Sequence, residues 1–262
     1  MNWRPKLVAL DIDGTLVGHD GQLPRDVHAA VRAVVDAGVP VVLSTGRGWV
    51  GTKPLAQALD LPPGQHVSSN GAVRVSYPPL EVLERVTFDP ADVVERVLLA
   101  HPEAMLAVEV IGHGFKVNRI FPEGELTGEL IEVELGELVA EPVTRVVVRD
   151  PNASEQDFIA LAHRLGMEGV TYFIGYTAWL DIAPDGVDKS YGLAGVCRDL
   201  GIDPADVLAL GDGRNDIEML TWAGRGVALG EAPDEVKRAA DDVAERFDRG
   251  GTAKELQRWF RL

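Results

Sequence analysis

Lys6 to Ile12 is a short apolar run, and Val39 to Leu43 repeats it as VPVVL. Runs of this kind mark strands buried on both faces, as parallel sheets require. Between them Val27, Ala30, Val31, Val34 and Val35 recur at helical spacing, with Pro24 near the start and Gly38 just past the end. The pattern predicts a βαβ unit. Towards the C-terminus the alternation returns: a helix from Asp188 to Leu200 stopped by Gly201, a strand from Val207 to Leu210, a helix from Asn215 to Ala223, and a strand from Val227 to Leu229. Helical stretches follow from Pro233 and Thr252. Such alternation predicts an α/β fold, a Rossmann-like, mostly parallel sheet with helices on both faces and ligands at the C-terminal strand ends.

The middle of the chain breaks this rhythm. Glu81 to Thr87, Met105 to Val110, Lys116 to Ile120, Arg145 to Val148 and Val170 to Tyr176 are strand-like, and helical spacing returns only near Asp92 to Ala100 and Glu155 to Leu165. Tyr77-Pro78-Pro79 and Pro184-Asp185-Gly186 punctuate its two ends. The expected organisation is therefore a core from residues 1–80 and 184–262, with 81–183 as an inserted α+β domain. Gly124 to Leu138, with its irregular Gly-Glu-Leu recurrences, reads as a solvated acidic segment. Trp179, Tyr176, Phe173 and His113 could line a ligand site, although aromatic residues in strands more often belong to the core.

A chain of 262 residues with 46% apolar composition can bury a full core, and its net charge of −16 opposes nucleic acid and anionic lipid as partners. The same charge repels a small phosphorylated ligand, so a site for one must build its own positive field from a metal, Lys, Arg or backbone amides. Cys197 is the single cysteine, which fits a reducing compartment. The N-terminus carries no signal-like apolar stretch, and no run of about 18 apolar residues occurs. The expectation is a cytoplasmic protein with no membrane and no obligate protein partner.

Chemistry concentrates where the predicted strands end. Asp11 and Asp13 would project to one side if extended geometry persists through Ile12. Two carboxylates about 4 Å apart repel by about 4 kcal/mol at an effective dielectric near 20, which a cation or protonation relieves. A second acidic pair, Asp212 and Asp216 in GDGRND, follows the strand from Val207 to Leu210. In a parallel sheet all four carboxylates meet at one rim, an oxygen-only set suited to Mg²⁺. Ser44, Thr45, Gly46 and Arg47 end the second strand at that rim. Lys189 opens a helix, where a cation faces the wrong end of the dipole and an anion nearby explains it best. Each feature alone has a plainer reading: a turn cap for one Asp, an ordinary loop for LSTGR, a solvated lysine.

Together and in this order, DIDGTL, the Ser or Thr ending the second strand, Lys189 and GDGRNDIEML resemble the four motifs of the haloacid dehalogenase superfamily. LSTGR, SSNGA at Ser68 to Ala72 and APDGVDKSYGL at Ala183 to Leu193 resemble its Cof-like branch of sugar-phosphate phosphatases, which carries a large α/β cap where the insert lies. The resemblance implies Asp11 as nucleophile, Asp13 as general acid and base, Thr45 as donor to the phosphoryl group and Lys189 as bridge between nucleophile and phosphate. It further implies that Asp11, the backbone carbonyl of Asp13 and Asp212 ligate Mg²⁺, that Asp216 supports the metal, and that Asn215 touches phosphate. Gly46, Arg47 and Asn70 match positions near the mouth of the family site. The implied activity is Mg²⁺-dependent hydrolysis of a small phosphorylated metabolite through an aspartyl phosphate. A sugar phosphomutase of the same superfamily, and a non-hydrolytic phosphoacceptor or binding protein, are the alternatives.

Overall fold

The structure is a computed structural model that describes residues 3–18, 20–154, 156–157, 170–174 and 179–261, with only the backbone for 170–174. The chain forms two compact units: Met1–Gly46, Thr52–Glu84 and Asp188–Leu262 make the first, Arg47–Gly51 and Arg85–Val187 the second.

The first unit is built on a five-stranded, wholly parallel sheet in the order Asp242–Val243, Arg225–Ala228, Val207–Gly211, Leu7–Leu10, Val41–Leu43. Alternate residues of each strand face opposite layers. Val8, Leu10, Leu43, Leu208, Leu210 and Val227 pack under the helices Arg25–Asp36 and Gly251–Gln257. Leu7, Ala9, Val42, Val207, Ala209 and Ala228 pack under Lys189–Leu200, Ile217–Trp222 and Asp234–Ala239. With both faces covered, the strands must read as continuous apolar runs, and each fully buried Val or Leu contributes about 1.5–3 kcal/mol. This is the mostly parallel sheet, helices on both faces, that the sequence pattern predicts.

Two additions, most of whose residues belong to this unit, escape the pattern. A helix, Trp49–Ala58, contains Pro54 and lacks a clean apolar stripe. A smaller sheet, Gly64–Ser68, Val73–Tyr77 and Glu81–Arg85, lies beyond the second strand, with Ser44 and Val67 forming a single parallel bridge. The Tyr77-Pro78-Pro79 turn joins two strands of this small sheet, and the first unit continues to Glu84.

The second unit holds a six-stranded sheet in the order Val170–Ile174, Trp179–Pro184, Val146–Arg149, Met105–Val110, Gly114–Val117, Glu129–Glu132, antiparallel except for the last pair. One face, Leu106, Val108, Val146, Val148, Leu180 and Ile182, is covered by Val93, Val94 and Val97 of the helix Ala91–Ala100 and by Leu138. On the other, Ala107, Phe115, Val117 and Val147 pack with Phe121, and Trp179 meets Phe121 edge-on at 6.1 Å. Arg145 and Asp181, both buried, pair through Nη2–Oδ2 at 2.7 Å and Nε–Oδ1 at 3.1 Å.

The acidic stretch is not wholly a solvated segment. Glu129–Glu132 pairs in parallel with Gly114–Val117, and Leu135–Leu138 makes a helical turn, because Leu130 and Leu138 find apolar neighbours on the sheet. Most of the expected helix over Glu155 to Leu165, Tyr176 of the expected strand and the side chain of Phe173 lie outside the described residues. Among the described residues no helix is long and apolar enough to cross a membrane.

Candidate active site

The first strand ends at Leu10, and extended geometry does not persist through Ile12. The Ile12 carbonyl instead accepts from the N–H groups of Thr15, Leu16 and Val17 at 3.3, 2.8 and 3.0 Å, closing a tight turn. Asp11 is buried at the strand end while Asp13 is exposed. Gly14 sits at φ +80°, and a Cβ there would lie 2.2 Å from Asp212 Oδ2, so only glycine lets the turn approach that carboxylate. Thr15 Oγ1 donates to Asp212 Oδ1 at 3.0 Å, and the Thr15 carbonyl accepts from Thr252 Oγ1 at 2.6 Å. Sequence reasoning missed this role of Thr15; its position directly after the Asp-Ile-Asp-Gly turn was the available signal.

The strand Val207–Gly211 delivers the second acidic pair to the same edge. A Cβ on Gly211 would stand 2.4 Å from the Asp216 carboxyl carbon, which is how Asp216 reaches back beneath the strand end. Its Oδ2 accepts from the N–H groups of Asp212 and Gly213 at 2.9 and 2.8 Å, and its Oδ1 from Lys189 Nζ at 2.5 Å. Lys189 also donates to Asp11 Oδ1 at 2.6 Å and is wholly buried. Asp188 caps the helix that Lys189 opens, its Oδ1 accepting from Ser190 and Tyr191 N–H at 2.7 and 3.0 Å. The ammonium is thus held at the unfavourable end of a helix dipole by two carboxylates.

One oxygen each from Asp11, Asp212 and Asp216 lies within 4.8 Å of the others, around a single ammonium. Burial, then the Asp216 charge, push Asp11 well above the usual carboxylate range against the pull of Lys189. Burial and Asp216 push Asp212 up to about 7, opposed by its Thr15 hydrogen bond. Burial works to lower the Lys189 ammonium, but Asp11 and Asp216 outweigh it and raise the group above its ordinary value. Three carboxylates against one cation leave a local deficit of positive charge, and their all-oxygen donor set fits a hard divalent ion. Asp216 has both oxygens engaged inside the protein, so Asp11 and Asp212 are the residues whose carboxylates would hold such an ion. The Asp13 side chain is not part of this cluster.

The raised carboxyls carry a sign. Below about pH 4 the Asp212 carboxyl is protonated folded or unfolded; between about 4 and about 7 the unfolded chain loses that proton first. Metal-free stability is expected to fall as pH rises through this window, by up to about 1.4 kcal/mol per pH unit for one such group. Thermal melts in chelator at pH 5 and 7.5 check this against Asp212→Asn, in which the fall should shrink. Equal falls in both proteins would refute it.

Donors gather beside the carboxylates. Thr45 is buried, its N–H bonded to the Val67 carbonyl at 3.1 Å and its own carbonyl accepting from Asn70 N–H at 3.0 Å. Asn215 Nδ2 donates to Asn70 Oδ1 at 2.9 Å, and Gly46 backs onto both amides, a Cβ there lying 3.0 Å from Asn70 Oδ1 and 3.3 Å from Asn215 Nδ2. Arg47 belongs to the second unit, where Nη1 donates to the Gly51 carbonyl at 3.3 Å.

Residues 8–256 match the model of the haloacid dehalogenase-like hydrolases. The chain belongs to that family. It is 28% identical over 279 residues to 5-amino-6-(5-phospho-D-ribitylamino)uracil phosphatase YitU of Bacillus subtilis, covering the whole of both chains. It is 30% identical to a phosphoglycolate phosphatase of Aeropyrum pernix, over 97% of this chain and 92% of that one. A haloacid dehalogenase-like hydrolase from Bacteroides thetaiotaomicron superposes with a TM-score of 0.83 at 23% identity, covering 99% and 100% of the two chains. Membership of this family, with phosphatases as full-length relatives, makes the protein an enzyme of the phosphoric monoester hydrolase class and places it in the Cof-like branch.

Proposed function

We propose that the protein is a Mg²⁺-dependent phosphatase that hydrolyses a small phosphorylated metabolite, a sugar phosphate or related phosphomonoester, through an aspartyl phosphate on Asp11. The observation that carries this reading is the buried Lys189 bridging Asp11 and Asp216 next to Asp212. Phosphate monoesters are inert enough that enzymes supply factors up to about 10²¹, mainly by positioning and electrostatics. A carboxylate attacking a phosphate dianion meets repulsion, and Lys189, Thr45, the Gly46 backbone and the Asn215 amide offset it as charge spreads over the equatorial oxygens. Asp11 and Asp212, with the Asp13 carbonyl, would hold the Mg²⁺, and Asp216 would orient them; when bound, the ion supplies further charge neutralisation and Lewis acidity.

In the first step an Asp11 oxygen forms the bond to phosphorus as the ester oxygen leaves and takes a proton from Asp13. In the second, Asp13 removes a proton from water, which attacks the same phosphorus and returns Asp11 to a carboxylate. The exposure of Asp13 supports this role, since it must meet both leaving group and water. The relatives support a broad substrate class: one is named for a ribitylaminouracil phosphate, another for phosphoglycolate, and a structural neighbour for a sugar phosphate. Arg85–Val187, where the branch carries its cap, is read as the part that selects the organic group, and Arg47 as a substrate contact. A single cysteine supports a cytoplasmic location.

The test is phosphate release from a panel of phosphorylated sugars, polyols, nucleotides and acids, with Mg²⁺ and with chelator. At least one ester should be hydrolysed, with a loss of at least about 100-fold in chelator. No release from any ester, or release indifferent to chelator, would overturn the reading.

A further inference from the structure

The turn Ser69–Gly71 has three successive residues at positive φ: Ser69 at 53°, Asn70 at 50° and Gly71 at 98°. Glycine adopts this region freely and asparagine tolerates it, but serine rarely does. Backbone of this kind persists only where its surroundings over-determine it, and it clusters at functional sites. Asn70 N–H donates to the Thr45 carbonyl, Asn70 Oδ1 accepts from the Asn215 amide, and a Cβ on Gly71 would lie 1.8 Å from the carbonyl oxygen of Asp188. One three-residue turn therefore touches the segment of Thr45 and Gly46, the cap of the helix that begins with Lys189, and the loop of Asn215. Those segments lie far apart in sequence, and each carries a group that the proposed reaction directs at the phosphoryl oxygens.

We infer that Ser69–Gly71 is a clamp that registers these three donor segments, and that Asn70 is a positioning residue acting through the Asn215 amide rather than a contact to the organic part of the substrate. The inference rests on the phosphatase reading above for its consequence in rate. The bond to Asn70 occupies one Nδ2 proton of Asn215 and fixes the plane of the amide, so the second proton points in one direction without reorganisation during the reaction. Without it the amide turns about its side-chain torsions, and a displacement of about 1 Å in such a group can lose about 100-fold in rate.

The experiment is a double-mutant cycle of Asn70→Gly and Asn215→Ala on the best ester of the panel, with melts alongside. Glycine accepts φ 50° without strain, so the variant adds no backbone strain, and the melts check that the fold is retained. Asn70→Gly should lower kcat by about 10- to 100-fold with KM within about 3-fold, and the double variant should fall no more than about 2-fold below Asn215→Ala alone. Asn70→Asp, which keeps an oxygen for the amide and adds a charge, should hold kcat within about 3-fold and raise KM. Unchanged kcat in Asn70→Gly, losses that multiply in the double variant, or an equal kcat loss in Asn70→Asp would each overturn the inference. A wild-type protein that hydrolyses nothing defeats the phosphatase reading instead, and the clamp is then read in the side-chain amide signal of Asn215 by NMR. One of its two protons should be shifted downfield and slow to exchange with solvent in wild type, and should return to the ordinary side-chain amide range with faster exchange in Asn70→Gly; an unchanged signal would overturn the clamp.

Discussion

Asp11→Asn is expected to lose at least about 10⁴-fold in phosphate release while melting at or above the wild-type temperature in chelator. The rate follows from chemistry: an amide oxygen does not form the phosphoenzyme, so only binding and charge complementarity remain. The stability follows from the surroundings of Asp11. Its charged form is opposed by burial and by the charges of Asp216 and Asp212, and favoured only by Lys189. An asparagine of the same size keeps an oxygen for the Lys189 ammonium, bonded at 2.6 Å in the wild type, and removes the repulsion. Metal-free melts and a phosphate assay on the same preparations check both halves. Near-normal release would refute Asp11 as nucleophile, and a clearly lower melting temperature would refute the account of its environment.

What could be read from the chain alone follows from how local each feature is. Leu7–Leu10 and Val207–Gly211 are buried on both faces by the parallel sheet, so their apolar runs are visible without knowing their neighbours. A parallel sheet brings strand C-termini to one edge, which is why Asp11, Asp212 and Asp216 could be expected together before any coordinate. Lys189 is legible for the opposite reason: it contradicts its local position at a helix start, and a contradiction points outside the segment. The pieces that stayed hidden depend on partners distant in sequence. Arg74, on a buried strand, is made tolerable by Glu84, Gln65 and Asp199. Arg145 is matched by Asp181, 36 residues on. The strand Glu129–Glu132 borrows its apolar neighbours from another hairpin. The turn of Ile12 to Val17 hides as well, because the bonds to the Ile12 carbonyl end the extended geometry there and no spacing rule anticipates them.

Lys189→Met is expected to remove activity and much of the stability together, which separates it from every carboxylate variant at the site. Its ammonium is fully buried between Asp11 and Asp216. Deleting one member of a buried ion pair leaves uncompensated charge and typically costs about 3–5 kcal/mol. At about 2–4 °C per kcal/mol for a chain of this size, that is a fall of roughly 10 °C or more in melting temperature at pH 7.5. The fall should be smaller at pH 5, because Asp11 and Asp212, already displaced upward, become protonated and no longer need the cation. Adding Asp216→Asn should restore part of the lost stability, since the two positions are in contact and their effects do not add. It should not restore turnover, because the charge that faces the phosphoryl group is still missing. Melts of the single and double variants at both pH values, each paired with a phosphate assay, decide the matter. A Lys189→Met protein that melts with the wild type at pH 7.5 would mean that the ammonium is not the counter-charge holding these carboxylates together.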